Sequence, residues 1–352
     1  MIMDLNVNGV SHPIGYGTPC FIIAEAGVNH DGSLETARKL VEVAAQADVD
    51  AVKFQTFEAK RMVTLSAPKA DYQIQVTDAS ESQYDMLRRL ELSPEMHQEL
   101  LTYCGQQGVG FMSTPFDKAS ADLLEHLGVM VFKIASGEIT NLPFLAYVAQ
   151  KGKAMIMSTG MASLDEVAKA VETIRQTGNQ NLVLLHCVSN YPADPADANL
   201  RAMHVMENTF GLPVGYSDHT PGIEVALAAV ALGACVIEKH FTLDRESPGP
   251  DHMASLEPDE LIALVKGIRA VELALGDGNK EPAESEANST AIARKSLVAA
   301  QYIPSGTVIT AEMITSKRPG TGLLPAKCQD LLGRTAGRNI QIDTILAIDM
   351  FE

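Results

Sequence analysis

The chain has 352 residues, 46% of them hydrophobic, and a formal net charge of −17 at pH 7. That length exceeds a typical single domain but suits a barrel of roughly 250 residues followed by a small extra domain. The acid excess disfavours nucleic acid and anionic membrane as partners, although a local cluster of Lys and Arg in a cleft can still hold a small anion.

Residues 1–19 lack the charged start and apolar core of a signal peptide. No apolar run reaches the roughly 18 residues that a membrane-spanning helix needs. Cys20, Cys104, Cys187, Cys235 and Cys328 form no CxxC pair and read as reduced thiols of a cytoplasmic protein. Residues 20–24, Cys-Phe-Ile-Ile-Ala, are a continuous apolar run that meets Glu25. Such runs suit strands buried on both faces of a parallel sheet. Ser33 opens a helix in which Leu34, Ala37, Leu40, Val41 and Ala44 recur at helical spacing. Residues 51–54 are the next strand. A polar segment without a clean period then runs from about 56 to 92, and loops that long are usually functional or mobile.

The alternation resumes with helices at 93–107, 119–127, 142–150, 164–177, 200–210, 221–232 and 260–275. Strands lie between them at 109–113, 130–135, 154–158, 182–186, 212–215 and 234–237. Eight strands, each followed by a helix, predict an α/β fold closed into a (β/α)8 TIM barrel over 1–276. Residues 277–293 read as a polar linker, and 294–352 as a small β-rich C-terminal domain. A domain of about 60 residues is small enough to lean on another surface.

In such a barrel, active sites gather where the strands end. Polar residues collect there in every unit. Strand 1 ends in Glu25; strand 2 carries Lys53 and Gln55, two apart and so on one face. Strand 3 ends in Ser113 and Thr114, and strand 4 in Lys133, Ser136 and Glu138. Strand 5 gives Ser158; strand 6 gives Ser189 and Tyr191; strand 7 gives Ser217 and His219; strand 8 gives Glu238 and His240. His219 and His240 would stand side by side, and neutral imidazole is a common metal ligand. Two lysines among hydroxyls suit phosphate or carboxylate oxygens.

Several motifs resemble the bacterial sialic acid synthase family, which includes N-acetylneuraminate and legionaminic acid synthases. They are Ile23-Ala-Glu-Ala-Gly-Val-Asn-His-Asp-Gly32, Val52-Lys-Phe-Gln-Thr56, Ser113-Thr-Pro-Phe-Asp117, Lys133-Ile-Ala-Ser-Gly-Glu138, Ser158-Thr-Gly-Met161, Gly215-Tyr-Ser-Asp-His-Thr220 and Glu238-Lys-His-Phe-Thr242. Ser247-Pro-Gly-Pro-Asp-His252 and Lys317-Arg-Pro-Gly-Thr-Gly322 extend the likeness to the C-terminal domain, which resembles type III antifreeze protein. The resemblance implies condensation of phosphoenolpyruvate with an N-acylated amino sugar and release of phosphate. N-acetylmannosamine, giving N-acetylneuraminate, is the first expectation; 2,4-diacetamido-2,4,6-trideoxymannose, giving N,N'-diacetyllegionaminic acid, is the alternative.

By the same resemblance, Lys53, Thr114, Lys133, Ser136, Ser158 and Ser217 hold phosphoenolpyruvate, and His219 and His240 bind a divalent metal. Oxygen-rich substrate ligands and only two histidines favour Mn²⁺, with Mg²⁺ or Co²⁺ as alternatives. Glu25, Gln55, Tyr191, Asp251 and Arg318 would position the sugar. The arginine would come from the second subunit of a homodimer with exchanged C-terminal domains. Glu25 or Glu238 could take a proton from the attacking water. Two departures from the family pattern stand out. Ser189-Asn190 precedes Tyr191, so the polar contact could fall to either residue, and no aromatic lies near Ile292.

Two other readings remain open at this point. A metal-dependent aldolase or isomerase would keep the barrel and dispense with phosphoenolpyruvate; borohydride trapping of a Schiff-base lysine would reveal it. An ice- or glycan-binding module would rest on the C-terminal domain alone, and a thermal-hysteresis assay separates that case.

Overall fold

A computed structural model describes residues 2–352 except Asn8 and Ala79, and only the backbone of Tyr72 and Gln75. The chain divides into two compact units, Met1–Gly276 and Asp277–Glu352.

Among the described residues of the first unit, eight strands form one parallel sheet: β3 (Phe21–Gly27), β4 (Ala51–Thr56), β5 (Gly110–Pro115), β6 (Val131–Ile134), β7 (Ala154–Ser158), β8 (Leu182–Cys187), β9 (Val214–Asp218) and β10 (Val236–His240). Two further strands, β1 (Met3–Val7) and β2 (Val10–Ile14), precede them as an antiparallel hairpin. The hydrogen-bonded order is β5-β4-β3-β10-β9-β8-β7-β6, and β5 meets β6, so the sheet closes into the expected TIM barrel. Helix starts are fixed by side chains that accept otherwise orphaned backbone N–H groups. Ser33 accepts from Thr36, Ser93 from Met96, Ser163 from Glu166, and Asp117 from Ala119 and Ser120.

Strand residues divide by parity between two apolar layers. Ile22, Ala24, Val52, Phe54, Phe111 and Phe132 face the helices and pack with Leu40, Leu100 and Leu124. Phe21, Ile23, Ala51, Met112, Val131, Ile156, Val183 and Val236 fill the barrel interior. Burying each large apolar side chain contributes about 1.5–3 kcal/mol. The interior layer is completed by Met3, Leu5, Val7 and Ile14 of the hairpin, which closes the barrel at the end where the strands begin. Met3, Leu5 and Val7 alternate with exposed residues, the period-two pattern of a strand with one buried face.

The polar segment after β4 holds three short helices, Ala59–Met62, Asp71–Val76 and Gln83–Arg89. Helices of four to seven residues complete too few turns to display a period. The helix expected from 221 spans Glu224–Ala231 instead, because Gly222 turns at φ 73° just before it.

The second unit pairs β11 (Ser296–Ala299) with β12 (Ile314–Lys317) and adds isolated bridges such as Val308–Thr335 and Ile303–Ile340. Leu297, Ile303, Ile309, Leu331, Ile340, Leu346 and Phe351 form a core of its own. Part of the stretch expected as linker is helical, over Ala287–Ala293. Arg318 is exposed in the turn that follows β12.

Candidate active site

The parallel register sets the chemistry at the C-terminal end of the barrel. Glu25 is the neighbour of Lys53 on β4 and of His240 on β10, while Glu238 is the neighbour of Ser217. The pairing shifts at Glu25 and Gly27, a bulge in β3. Gly27 sits at φ 54°, where a Cβ would crowd Asp251 Oδ2 at 3.3 Å and Glu25 Oε1 at 3.4 Å.

The charged groups form one cluster. Lys53 Nζ lies 2.7 Å from Glu25 Oε2 and donates to Thr114 Oγ1 at 3.0 Å. Glu238 stands between the lysines, with Oε1 3.3 Å from Lys133 Nζ and Oε2 3.6 Å from Lys53 Nζ. Ser217 Oγ donates to Glu238 Oε1 at 2.9 Å, and Gln55 Nε2 reaches Glu25 Oε1 at 3.5 Å. Glu25, Lys53, Lys133 and Glu238 are all at least 96% buried.

Burial pushes the Glu25 carboxyl up to about 7, against the pull of Lys53. Burial would raise Glu238 too, but Lys133 and Lys53 together overcome it and hold that carboxyl at about 2. For Lys53, burial works against the charge, yet Glu238 and Glu25 outweigh it and raise its pKa. Lys133 is lowered by burial, which Glu238 offsets only in part. Two lysines thus face one carboxylate held well below its ordinary range and one pushed up toward neutral pH. Two basic side chains around one lowered carboxylate suit an anion.

The histidines adjoin this cluster. Their rings lie 5.4 Å apart, and Tyr191 covers them at 4.3 Å from His219 and 5.5 Å from His240. Burial pushes His219 down to about 4 and, helped by the neighbouring His219 and Lys53, His240 well below its usual value. Both rings are therefore neutral. His219 Nδ1 donates to the Val188 carbonyl at 2.7 Å, leaving the lone pair on Nε2. His240 Nδ1 is buried without a hydrogen bond, 3.8 Å from Asp251 Oδ2. The donor set of two neutral imidazoles, one of them with its Nδ1 buried and unpaired, fits a divalent cation. Among the described residues no third His, Cys, Asp or Glu joins them in a ready-made cage.

A cavity of about 320 Å³ opens over these groups. Glu25, Lys53, Gln55, Thr114, Lys133, Ser136, Ser158, Ser189, Tyr191, Ser217, His219, Glu238 and His240 line it. Ser158 Oγ is buried without a partner, free for a ligand oxygen. Ser136 Oγ accepts from the Gly160 N–H at 3.0 Å. Ser113, whose Oγ is 2.7 Å from Thr56 Oγ1, does not line the cavity, and neither do three residues expected to act in the site. Glu138 is half-buried and accepts from Asn141 at 2.7 Å. Asp251 stands beside His240, its carboxyl pushed up to about 6 by burial. Arg318 belongs to the second unit.

Ala70, Phe116 and Met161 also line the cavity, and the sequence reading assigned them no role. Phe116 and Met161 follow strand ends within the motifs already quoted, so position alone could have found them; a search for polar groups passes over them.

Comparison with known proteins identifies the family. Residues 40–280 match the NeuB family, and residues 294–352 match the SAF domain. The N,N'-diacetyllegionaminic acid synthase of Campylobacter jejuni is 49% identical over 92% of this chain and 98% of its own. The enzyme of the same name from Legionella pneumophila is 47% identical over 98% of both chains. The crystal structure of the N-acetylneuraminic acid (sialic acid) synthetase from Leptospira borgpetersenii, in complex with citrate, superposes with a TM-score of 0.71 and 35% identity, covering 82% of this chain and 95% of that one. A matching family profile, two relatives near half identity and a shared barrel converge on one conclusion: the chain belongs to the NeuB family and carries a SAF domain at its C-terminal end.

Proposed function

We propose that the chain condenses phosphoenolpyruvate with an N-acylated amino sugar and water to give a nonulosonic acid and phosphate. One observation carries this reading. Lys53 and Lys133 share the buried Glu238 in the same cavity that exposes two neutral imidazoles. Of the two sugars that the sequence left open, the two relatives named N,N'-diacetyllegionaminic acid synthase favour 2,4-diacetamido-2,4,6-trideoxymannose over N-acetylmannosamine.

The ammonium groups of Lys53 and Lys133 would bind the anionic phosphoenolpyruvate, with Ser158 Oγ and the Thr114 hydroxyl free to meet its oxygens. Carbon 3 would then attack the sugar aldehyde, water would add at carbon 2, and phosphate would leave. Glu25 is poised near neutral pH to take the proton of that water. Glu238 stays ionised and keeps both lysines in place. His219 and His240 would hold a divalent cation, Mn²⁺ being favoured over Mg²⁺ or Co²⁺. Such an ion polarises a carbonyl oxygen and stabilises charge that develops on it.

A homodimer, and a role for Arg318 in its partner's site, are proposals that rest on the family likeness. Mixed dimers of Arg318→Ala and His219→Ala should regain activity if the arginine serves the partner. The central experiment measures phosphate release from phosphoenolpyruvate across a panel of N-acylated amino sugars, with the product weighed by mass spectrometry. Phosphate release with no carbon–carbon coupled product would overturn the reading.

A further inference from the structure

The turn after β7, residues 159–162, holds a methionine where a glycine would be expected. Met161 adopts φ 62°, a conformation that strains a side chain of its kind. The other described non-glycine residues with positive φ are Asp31, Asp48, Asn199 and Asp343, types whose short polar side chains tolerate it. Met161 is the exception, and packing does not explain it, because 74% of its surface is exposed.

The surroundings impose this conformation. Thr159 is tied to the Leu185 carbonyl by both its N–H and its Oγ1, each at 2.9 Å. The Gly160 N–H bonds to Ser136 Oγ, and a Cβ at Gly160 would strike Ser189 Oγ, Cys187 Sγ and Ser136 Oγ. On the far side, Ser163 caps the helix Leu164–Gln176 with a reciprocal bond to Glu166. A turn fixed at both ends presents an apolar side chain to water at the mouth of the cavity.

Met161 also lines a second cavity of about 440 Å³ between the helices Leu164–Gln176 and Arg201–Phe210. It is thus a wall common to two spaces, with apolar room behind it at Leu164, Val167 and Val205. A flexible thioether can adjust in such a position.

We propose that Met161 is a specificity-determining residue that packs against the acyl methyl group of the amino sugar. This rests on the function proposed above. Phosphoenolpyruvate is anionic, and its partners lie deep, at 2–3% exposure for Lys53, Lys133, Thr114 and Ser158. An exposed thioether offers it no hydrogen bond. The sugar enters above; its apolar parts are the acyl methyls, two in the 2,4-diacetamido sugar, and the C6 methyl, and the acyl methyls reach furthest from its carbon backbone.

The test is steady-state kinetics of the full-length enzyme and three variants, with N-acetylated and N-formylated forms of the sugar that the wild type uses. Met161→Gly removes the side chain and relieves the backbone, so its Tm should equal or exceed that of the wild type. Its KM for the N-acetyl sugar should rise about tenfold, with KM for phosphoenolpyruvate within about twofold, and its preference for acetyl over formyl should fall toward one. Met161→Ala should lose the same sugar affinity without the gain in Tm. Met161→Leu should restore the sugar KM. An unchanged sugar KM and acyl preference in Met161→Gly, with an active wild type, overturns this proposal alone. So does an equal rise in KM for both substrates. A wild type that turns over no sugar in the panel overturns the proposed function, and this inference with it.

Discussion

Two buried charge clusters share β9 and β10, and they are built in opposite ways. One faces the helices: Lys239 Nζ donates to Asp218 Oδ2 at 2.6 Å and to the Thr220 carbonyl at 2.7 Å. Asp218 Oδ1 accepts from both the N–H and the hydroxyl of Thr220, at 2.9 and 2.8 Å. None of the side-chain nitrogens and oxygens of Lys239, Asp218 and Thr220 is left buried without a partner. The other cluster faces the cavity, one residue along each strand, and leaves Ser158 Oγ and His240 Nδ1 unbonded and one oxygen of Glu238 3.6 Å from Lys53. A buried ion pair closed on itself holds strands together. A cluster with unmet hydrogen-bonding capacity is arranged for something that arrives later.

That contrast can be broken by experiment. The largest effect should come from metal removal: exhaustive chelation should abolish turnover and Mn²⁺ restore it, whereas full activity after chelation would leave the imidazole pair without its assigned purpose. Next comes the closed pair. Lys239→Met strands a buried Asp218 and should lower unfolding free energy by about 3–5 kcal/mol, measured by denaturant titration. Replacing both partners with apolar residues should recover most of that. A loss below about 1 kcal/mol would erase the distinction between the clusters.

Lys53→Ala and Lys133→Ala should each raise KM for phosphoenolpyruvate by about ten- to hundredfold, the loss of a charge-assisted contact of about 1.5–3 kcal/mol. The KM for the sugar should move less, and equal effects on both substrates would make the lysines structural. The smallest effect is on pH. Glu25 holds its proton up to about pH 7 in the fold, against an ordinary 4.5. Its contribution to stability is therefore lost as pH rises from about 4.5 to 7. Glu238, held at about 2, contributes stability above 4.5 that is lost as pH falls toward 2. Glu25→Gln should flatten the decline of Tm between pH 5 and 7, and should remove a limb of kcat/KM that rises through about pH 7. A wild-type profile flat across that range would contradict the poised carboxyl.

The barrel was legible because its strands are continuous apolar runs closed by polar residues, and its helices have clean periods. The cavity residues were legible because they follow those runs at matching positions. Lys239 and Asp218 were not, since they point away from the residues of interest on the same strands. Met161 was hidden for another reason: its local preference contradicts the turn that it occupies, and only the packing around Gly160 reveals why it stays. The excursion after β4 was invisible because its helices are shorter than the period that would betray them.

The hairpin of β1 and β2 seals the barrel where its strands begin. In the proposed reaction this gives the vessel a single mouth, and a single mouth imposes a queue. The ligand seated at the floor, beside the lysines, has to enter before the one that lies over it. On the way out the sequence reverses: the sugar acid clears the opening first, and phosphate, last to leave, competes with the next phosphoenolpyruvate for the emptied floor.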